Sequence, residues 1–258
     1  MEIEIDLNKT VEENATSYFE KSKLARKKIN GIKKAIIITQ KIAEKKVVVP
    51  KKETRKQKWF EQYRWFFTSD GLLVIGGKNA SQNEEIVKKR MDKKDVYFHA
   101  EVYGAPHCVV KLSDSKLTSV PEQSMIEAAQ FAVTFSKASE TGQSSADAYS
   151  VKPEQVSKRA PSGTSLGAGA FMIYGERNWF WTTTLSCAIG YLSNEKVLMA
   201  GPLSAVKRKC INVFELKTGT IEKNKTAKIL QEKYKEKGLT FSNEEILSLL
   251  PNGKFEIV

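Results

Sequence analysis

A heptad pattern near the N-terminus constrains the fold of this chain more than any other feature of its sequence. Mostly apolar residues recur there at spacings that alternate between four and three positions, and such a stripe is typical of a helix that supercoils against another helix. Because one helix cannot bury its own seam, the pattern predicts a partner helix, supplied either by a second copy of this chain or by a different chain. The stripe consists of Val11, Ala15, Tyr18, Ser22, Ala25, Ile29, Ile32, Ile36, Thr39 and Ala43.

The positive charge of the chain is concentrated in and just after this segment. Of the formal net charge of +12, residues 21–58 alone contribute +13, because fifteen lysines and arginines stand there against two acids. Such a block favours binding to a polyanion, either nucleic acid or an acidic membrane surface. The alternative is that the charges only form a solvated helix face. The helix is predicted to end before Val47, since Pro50 disfavours the α conformation of the residue before it. Residues 47–57 then form a cationic linker.

Beyond the linker, short apolar runs separated by turn residues predict strands, with few helices between them. Ser69-Asp70-Gly71 lies between two apolar runs and predicts a hairpin. Further strands are predicted at Asp95–Val102, His107–Leu112, Ala148–Val151, Phe171–Tyr174, Cys187–Leu192, Val197–Met199 and Cys210–Phe214. Helices are predicted at Ala80–Met91 with Asn79 as N-cap, at Pro121–Ser136, and twice within Lys225–Leu250, the second with Ser242 as N-cap and Glu245 three residues on.

We therefore predict an α+β fold, a mixed sheet with flanking helices, preceded by the long N-terminal coiled-coil helix. Three regions are expected: a basic coiled-coil arm and linker at residues 1–57, a central domain at residues 58–216, and a helical tail at residues 217–258. No segment approaches the roughly 18 consecutive apolar residues of a membrane span. We expect a cytoplasmic protein without a membrane partner.

The cysteines and histidines give little support for catalysis. Cys108, Cys187 and Cys210 are widely separated and lack CxxC spacing, so neither a zinc site nor a disulfide scaffold is expected. Asp95 and His99 fall on one face of a predicted strand and are a candidate functional pair. They lie about 13 to 14 Å apart along an extended strand, too far for acid–base work without a bend.

Motifs of catalysis and nucleotide binding are also missing from the sequence. A Walker A loop, a GxSxG elbow and a dinucleotide fingerprint are absent. We predict no catalytic residue, no metal and no cofactor, and a hydrolase or transferase site at His99 stays as an alternative.

The segment from Ala146 to Phe180 combines strand-like runs, a turn and four cations. Backbone amides of glycine turns can form concave anion sites, and neighbouring cations supply charge for phosphate contacts. The alternative is that Pro161 and the glycines serve only tight turns. The candidate RNA-binding residues are Lys152, Lys158, Arg159, Ser162, Gly163 and Arg177.

Residues 58 to about 200 resemble the NFACT-R domain, the RNA-binding-type domain of the NFACT family. The matching stretches, in order, are WFEQYRWFFTSDGLLVIGGKNASQNEEIV from Trp59, DVYFHAE from Asp95, GAPHCVVK from Gly104, EAAQFAVTFSKA from Glu127 and VKPEQVSKRAPSG from Val151. In this family the domain follows a coiled-coil hairpin, and the stretch IDLNKTVEENATSYFEKSKLARKK looks like the start of its returning helix.

The resemblance implies the C-terminal half of a NEMF-like ribosome quality-control factor. Such a factor binds the large ribosomal subunit carrying a stalled nascent chain and its tRNA. The implied partners are large-subunit RNA, tRNA and a coiled-coil partner helix, which a separately encoded NFACT-N half could supply. Two other interpretations stay open: an interaction subunit that completes a split factor, and a standalone nucleic-acid-binding protein without a ribosome role.

The sequence departs from the family pattern at a few positions. Ser139, Ser150 and the pair Thr164-Ser165 stand where relatives usually carry two tryptophans and an acid–tyrosine pair. If those aromatic residues stack on bases, each loss weakens binding by roughly 1 to 3 kcal/mol, and if they pack inside the fold, the change is absorbed there.

Overall fold

The computed structural model describes residues 4–44, 56–159 and 166–258 of the chain. The chain divides into two compact units, Met1–Lys56 and Gln57–Val258. The predicted linker at residues 47–57 lies almost wholly outside the described residues, as do Ser162, Gly163, Thr164 and Ser165.

The first unit contains the predicted long helix, α1, which spans Val11–Glu44. A capping box fixes its start, because the Thr10 hydroxyl accepts from the Glu13 N–H at 3.2 Å and the Glu13 carboxylate accepts from the Thr10 N–H at 2.8 Å. The side chains of Thr39 and Ala43 are not among the described ones. The large apolar residues of the seam that are exposed are Val11, Tyr18, Ile29, Ile32 and Ile36.

The described part of the second unit contains twelve strands and five helices. The strands are β1 (Arg64–Phe67), β2 (Leu73–Gly76), β3 (Val96–Ala100), β4 (Cys108–Lys111), β5 (Ser145–Val151), β6 (Val156–Ser157), β7 (Met172–Ile173), β8 (Asn178–Thr184), β9 (Ser186–Leu192), β10 (Val197–Gly201), β11 (Ile211–Glu222) and β12 (Lys254–Ile257). The helices are α2 (Ala80–Glu85), α3 (Glu122–Thr134), α4 (Leu203–Lys209), α5 (Lys223–Glu236) and α6 (Asn243–Leu249).

These strands form two main sheets and a small ribbon. The first sheet has the order β1-β2-β4-β3-β5-β8, the second has the order β10-β9-β11-β12, and β6 pairs with β7. The α+β class is confirmed. The expected mixed sheet is wrong, because the pairs among the described strands are antiparallel. The runs from Cys187 onward also form a second sheet instead of completing the first. The domain boundary predicted between residues 216 and 217 stays a prediction, and β11 crosses that position.

Local signals place several elements where the sequence predicts them. The hairpin of β1 and β2 turns through Asp70-Gly71, and Gly71 has φ of +89°, a conformation that favours glycine. The two tail helices are confirmed, and Ser242 and Glu245 form the predicted capping box of α6. Strands β8 and β12 and helix α4 are absent from the prediction.

The helix predicted at Ala80–Met91 is shorter in the structure. Asn79 caps α2 as expected, with its side chain accepting from the Gln82 N–H at 2.9 Å. After Glu85, a π-helical turn covers Ile86–Arg90. The Arg90 carbonyl at its end accepts from the buried Lys111 ammonium at 2.7 Å, which ties this turn to β4.

Two hydrophobic cores support the unit. The first lies between the first sheet and α3, where the rings of Phe66 and Phe131 pack with centroids 4.8 Å apart. The second lies between the second sheet and helices α5 and α6, around Leu230 and Tyr234. Within the described ranges, none of the helices combines the length and apolar character that crossing a membrane requires.

Candidate nucleic-acid interface

A cleft of about 580 Å³ opens at the end of the first sheet, where β2 ends and the turn between β3 and β4 begins. Its walls come from residues 77–80, 102–107 and 168–171, with Tyr97 and Tyr149 also lining it. Ligand sites in proteins commonly have volumes of about 300 to 1,000 Å³. The cleft therefore has room for a group the size of one nucleotide.

The wall formed by α2 depends on a close approach at Gly77. The Gly77 N–H donates to the His107 carbonyl at 3.3 Å, and the His107 N–H donates to the Asn83 side-chain oxygen at 3.1 Å. A Cβ atom at residue 77 would overlap that Asn83 oxygen. Only glycine lets the end of β2, the start of β4 and helix α2 meet at this point.

Three cations line the cleft: Arg64, Lys78 and Lys137, called here the cleft cations. None of them forms an ion pair with a carboxylate within the part of the chain that the structure describes. Burial lowers the pKa of Arg64, and burial followed by the charge of Arg64 lowers the pKa of Lys78. Burial and the same guanidinium lower the pKa of nearby Lys223 to about 8. The positive charges thus repel one another, and an anion in the cleft relieves this repulsion.

Two neutral histidines form another part of the wall. The rings of His99 and His107 lie 4.6 Å apart. His99 Nδ1 donates to the Pro106 carbonyl at 3.1 Å, and the Tyr97 hydroxyl is 2.7 Å from His107 Nδ1. Burial, followed by the charges of His99 and Lys158, lowers the pKa of His107 to about 3, and burial also lowers the pKa of His99. Near neutral pH these rings supply hydrogen-bonding groups without charge.

A row of ring contacts leads from the cleft to the edge of the first sheet. Its successive centroid distances are 5.4, 4.6, 6.1, 5.4 and 4.6 Å. Cross-strand register produces the row, since His99 faces Tyr149 across β3 and β5, and Tyr149 faces Trp179 across β5 and β8. The members of this ring row are, in order, Phe171, His107, His99, Tyr149, Trp179 and Trp181.

Lys158, one of the predicted RNA-binding cations, is engaged within the fold. Its ammonium donates to the carbonyls of Gly167 at 2.8 Å and Ala170 at 3.1 Å, and it lies 3.4 Å from the Glu84 carboxylate. Glu84 also accepts from the Gly169 N–H at 3.0 Å. The hydrogen bond from Lys88, followed by that from Gly169, lowers the pKa of Glu84 to about 2. Lys158 and Glu84 together hold the segment 167–170 against α2.

The other predicted cations differ in their surroundings. Arg177 pairs with Glu101 at 3.2 Å, and its guanidinium lies 4.5 Å from the centre of the Tyr149 ring. Lys152 and Arg159 are exposed and lie before and after β6 in the chain. Ser162 and Gly163 lie outside the described residues, so the predicted anion turn stays a prediction.

The candidate pair Asp95 and His99 is not brought together by hydrogen bonds. The buried Asp95 carboxylate accepts from Lys111 Nζ at 2.6 Å and from the N–H groups of Leu112 and Ser113 at 3.0 Å each. His99 bonds instead to Pro106 and lines the cleft. Asp95 therefore organises the start of β3 and the end of β4.

Several residues of this surface were missed by sequence reasoning. They are the cleft cations Arg64, Lys78 and Lys137 and the rings Tyr149, Trp179 and Trp181. A signal for the rings did exist, because the stretch NWFWTTT from Asn178 has tryptophans two residues apart, which places both on one face of a strand.

The departures Ser139 and Ser150 lie inside the fold. Both are buried, and the Ser139 hydroxyl donates to the Ser136 carbonyl at 3.1 Å. The Ser150 hydroxyl accepts from the Asn178 side-chain amide at 3.3 Å. A larger side chain at either position packs against the interior and does not face a bound base.

The described residues contain no group of three or more histidines, cysteines and acids arranged to hold a metal ion. Cys108, Cys187 and Cys210 are buried free thiols, and burial raises the pKa of each, to about 12 for Cys187 and Cys210. These thiols are therefore protonated and packed near neutral pH.

Comparison with known proteins shows which domains and proteins this chain resembles. A family model described as "NFACT protein RNA binding domain" matches residues 62–175. The chain is 40% identical over 221 residues to the archaeal Rqc2 homolog aRqcH of Methanocaldococcus jannaschii, covering 84% of this chain. It is 34% identical to the ribosome quality control complex subunit NEMF homolog of Drosophila melanogaster, covering 74% of this chain, and 35% identical to NEMF of Homo sapiens, covering 69%.

The chain spans only part of the length of these relatives. It covers 32% of the archaeal protein, 20% of the Drosophila protein and 17% of the human protein. The matched region contains most of the cleft, including Arg64, Lys78, Lys137 and both histidines.

Proposed function

We propose that this chain, whose residues 62–175 match the NFACT protein RNA binding domain, is an RNA-binding component of ribosome-associated quality control. It acts on large ribosomal subunits that carry a stalled nascent chain and tRNA, in the cytoplasm where ribosomes translate. Its relatives named as subunits of ribosome quality control complexes support this assignment.

The cleft cations carry the proposal. Three positive side chains without carboxylate partners among the described residues line one cleft, and burial already disfavours the charge of two of them. A phosphate group placed among them would replace the missing counter-charge. Lys158 and Arg177 support this surface from within, while Lys152 and Arg159 are exposed and available to the RNA backbone.

Binding of the full chain to large-subunit RNA fragments over a range of salt concentrations tests this proposal. The logarithm of the binding constant should fall linearly with the logarithm of salt concentration, with a slope of about −0.7 to −0.9 for each phosphate neutralised. The double variant Lys78→Ala/Lys137→Ala should weaken binding and make that slope shallower by about 1 to 2. A flat salt response in the natural chain contradicts RNA binding.

A charge-matched control separates site binding from net charge. Lys235→Ala/Lys237→Ala removes two exposed lysines at the C-terminal end of α5, neither of which lines the cleft. We expect this control to bind RNA nearly as well as the natural chain. Equal losses in the two double variants would mean that the cleft is not the RNA site.

The exposed seam of α1 favours a second function for the N-terminal unit. Ile29, Ile32 and Ile36 are half exposed or more, although they lie on one heptad stripe. We propose that this stripe packs against a coiled-coil partner helix, supplied by a separately encoded NFACT-N half. Light scattering of the mixed halves should detect a heterodimer, and its absence counts strongly against a split factor.

The chain is proposed to bind RNA without catalysing a reaction on it. His99 has its Nδ1 proton engaged with Pro106 and its pKa lowered by burial, and the Asp95 carboxylate is bonded elsewhere. A hydrolase or transferase that uses His99 would lose its function in a His99→Ala variant. Full function of that variant in a cellular reporter of stalled translation removes the catalytic alternative.

A further inference from the structure

The ring row ends in an exposed tryptophan, Trp181, at the edge of the first sheet. The Trp181 side chain is 66% exposed, whereas Trp179 next to it is half-buried. The two indoles are stacked, with centroids 4.6 Å apart and planes only 12° from parallel. One face of Trp181 is thus covered by Trp179, and the opposite face is open to solvent.

The backbone holds Trp181 in this position. The next residue, Thr182, has φ of +50°, which is rare for a β-branched residue, and its N–H donates to the Asp147 carboxylate at 2.7 Å. The pairing of β5 with β8 shifts register between Ala146 and Ala148, beside this point. An exposed indole on a strained and hydrogen-bonded backbone is a fixed platform, and strain of this kind persists where the surrounding structure maintains it.

We infer that the RNA bound by this domain is single-stranded where it crosses this surface, and that Trp181 stacks on one of its unpaired bases. The inference rests on the proposed RNA-binding function and specifies its substrate class. Unpaired bases expose flat faces that stack on aromatic side chains, and each stack contributes appreciably to the binding of single strands. A base in a duplex has both faces covered by its neighbours, so an isolated indole offers a duplex little beyond its edge.

The rest of the surface has the chemistry that a single strand requires. Cations line the cleft, uncharged histidine rings follow, and aromatic rings continue to the sheet edge at Trp181. Arg177 lies over Tyr149 and Trp179, so a positive charge also accompanies the outer rings. Alternation of cations and flat rings suits a chain of phosphates and bases, and the cleft volume suits a single nucleotide more than a helix.

Two substitutions of Trp181 separate stacking from bulk. Trp181→Phe keeps an aromatic ring, whereas Trp181→Leu keeps an apolar side chain without a flat face. Because the residue is exposed, both variants should keep the melting temperature of the natural chain. Binding of the full chain is measured for an unstructured uridine oligomer and for an RNA duplex of equal nucleotide content.

We expect the natural chain to prefer the single strand, with quenching of tryptophan fluorescence on binding. Trp181→Leu should lose about tenfold in affinity for the single strand and little for the duplex, while Trp181→Phe should keep most of the affinity. Preference for the duplex, or unchanged single-strand affinity in Trp181→Leu, overturns the inference and leaves the proposed RNA binding standing. Failure of the natural chain to bind either RNA overturns both.

Discussion

The rings of His99 and His107 lie 4.6 Å apart in the wall of the cleft, His99 on β3 and His107 immediately before β4, its antiparallel neighbour. At this separation, protonation of one ring disfavours protonation of the other, and burial acts in the same direction. The pair therefore stays neutral where an isolated histidine begins to take up a proton. This relationship makes the fold sensitive to acid.

The first prediction concerns that sensitivity. The pKa of His107 is about 3 in the folded chain against an ordinary value of 6.5, so the unfolded chain binds this proton more readily between those two pH values. The free energy of unfolding should therefore decrease as pH falls from about 6.5 towards 3, by up to about 1.4 kcal/mol per pH unit for this one group. Urea unfolding over this pH range should give a shallower pH slope for His107→Gln than for the natural chain. Identical slopes would contradict the prediction.

The second prediction concerns the buried ion pair of Asp95 and Lys111. Asp95→Ala leaves a buried ammonium without its main partner and should lower the free energy of unfolding by about 3 to 5 kcal/mol. Lys111 also contacts Asp92, whose side chain is 63% exposed, and Asp92→Ala should cost less than about 1 kcal/mol. Urea denaturation of both variants measures the difference. Similar small losses would mean that Asp95 does not organise the strands.

The third prediction concerns the hold of Glu84 on the segment 167–170. Glu84→Gln weakens the hydrogen bond that the Gly169 N–H donates, so exchange of the Gly169 amide hydrogen should become faster. The control is Glu154→Gln, which changes an exposed carboxylate on the short turn before β6. Hydrogen exchange followed by NMR measures the exchange rate of the Gly169 amide in both variants. Unchanged Gly169 exchange in Glu84→Gln would show that this bond does not hold the segment.

The fourth prediction concerns the glycine in the wall of the cleft. Gly77→Ala forces Asn83 away from the His107 N–H, and overpacking of this kind typically costs about 1 to 3 kcal/mol. Gly167→Ala is the control, since a Cβ atom there meets nothing within 4 Å. The Gly77 variant should have a lower melting temperature and weaker RNA binding than the natural chain, and the control should be nearly normal in both measurements. If both variants behave alike, the close approach at Gly77 is not needed.

Local signals allowed much of the fold to be predicted. The capping side chains Asn79 and Ser242 and the Asp70-Gly71 turn determine their elements through contacts within four residues, so the sequence alone locates them. The arrangement of strands into two antiparallel sheets depends on pairing between distant segments. That pairing has no local signature, which is why a single mixed sheet was expected.

The candidate site was less predictable, because its charges find partners far away in the chain. Lys158 was chosen for its position beside a turn, yet it contacts Glu84, which lies 74 residues earlier. Trp179 and Trp181 lie on β8, an edge strand that the sequence analysis did not predict. Their relation to the cleft arises only when β3, β5 and β8 lie side by side.

The sequence by itself determined the long exposed-seam helix, the α+β class, the basic arm and the resemblance to an RNA-binding domain, since periodicity, composition and short motifs are written along the chain. Only the tertiary structure decided which cations remain without carboxylate partners among the described residues and which rings align from His107 to Trp181. Those properties depend on burial and on cross-strand neighbours, and both exist only after distant segments have packed together.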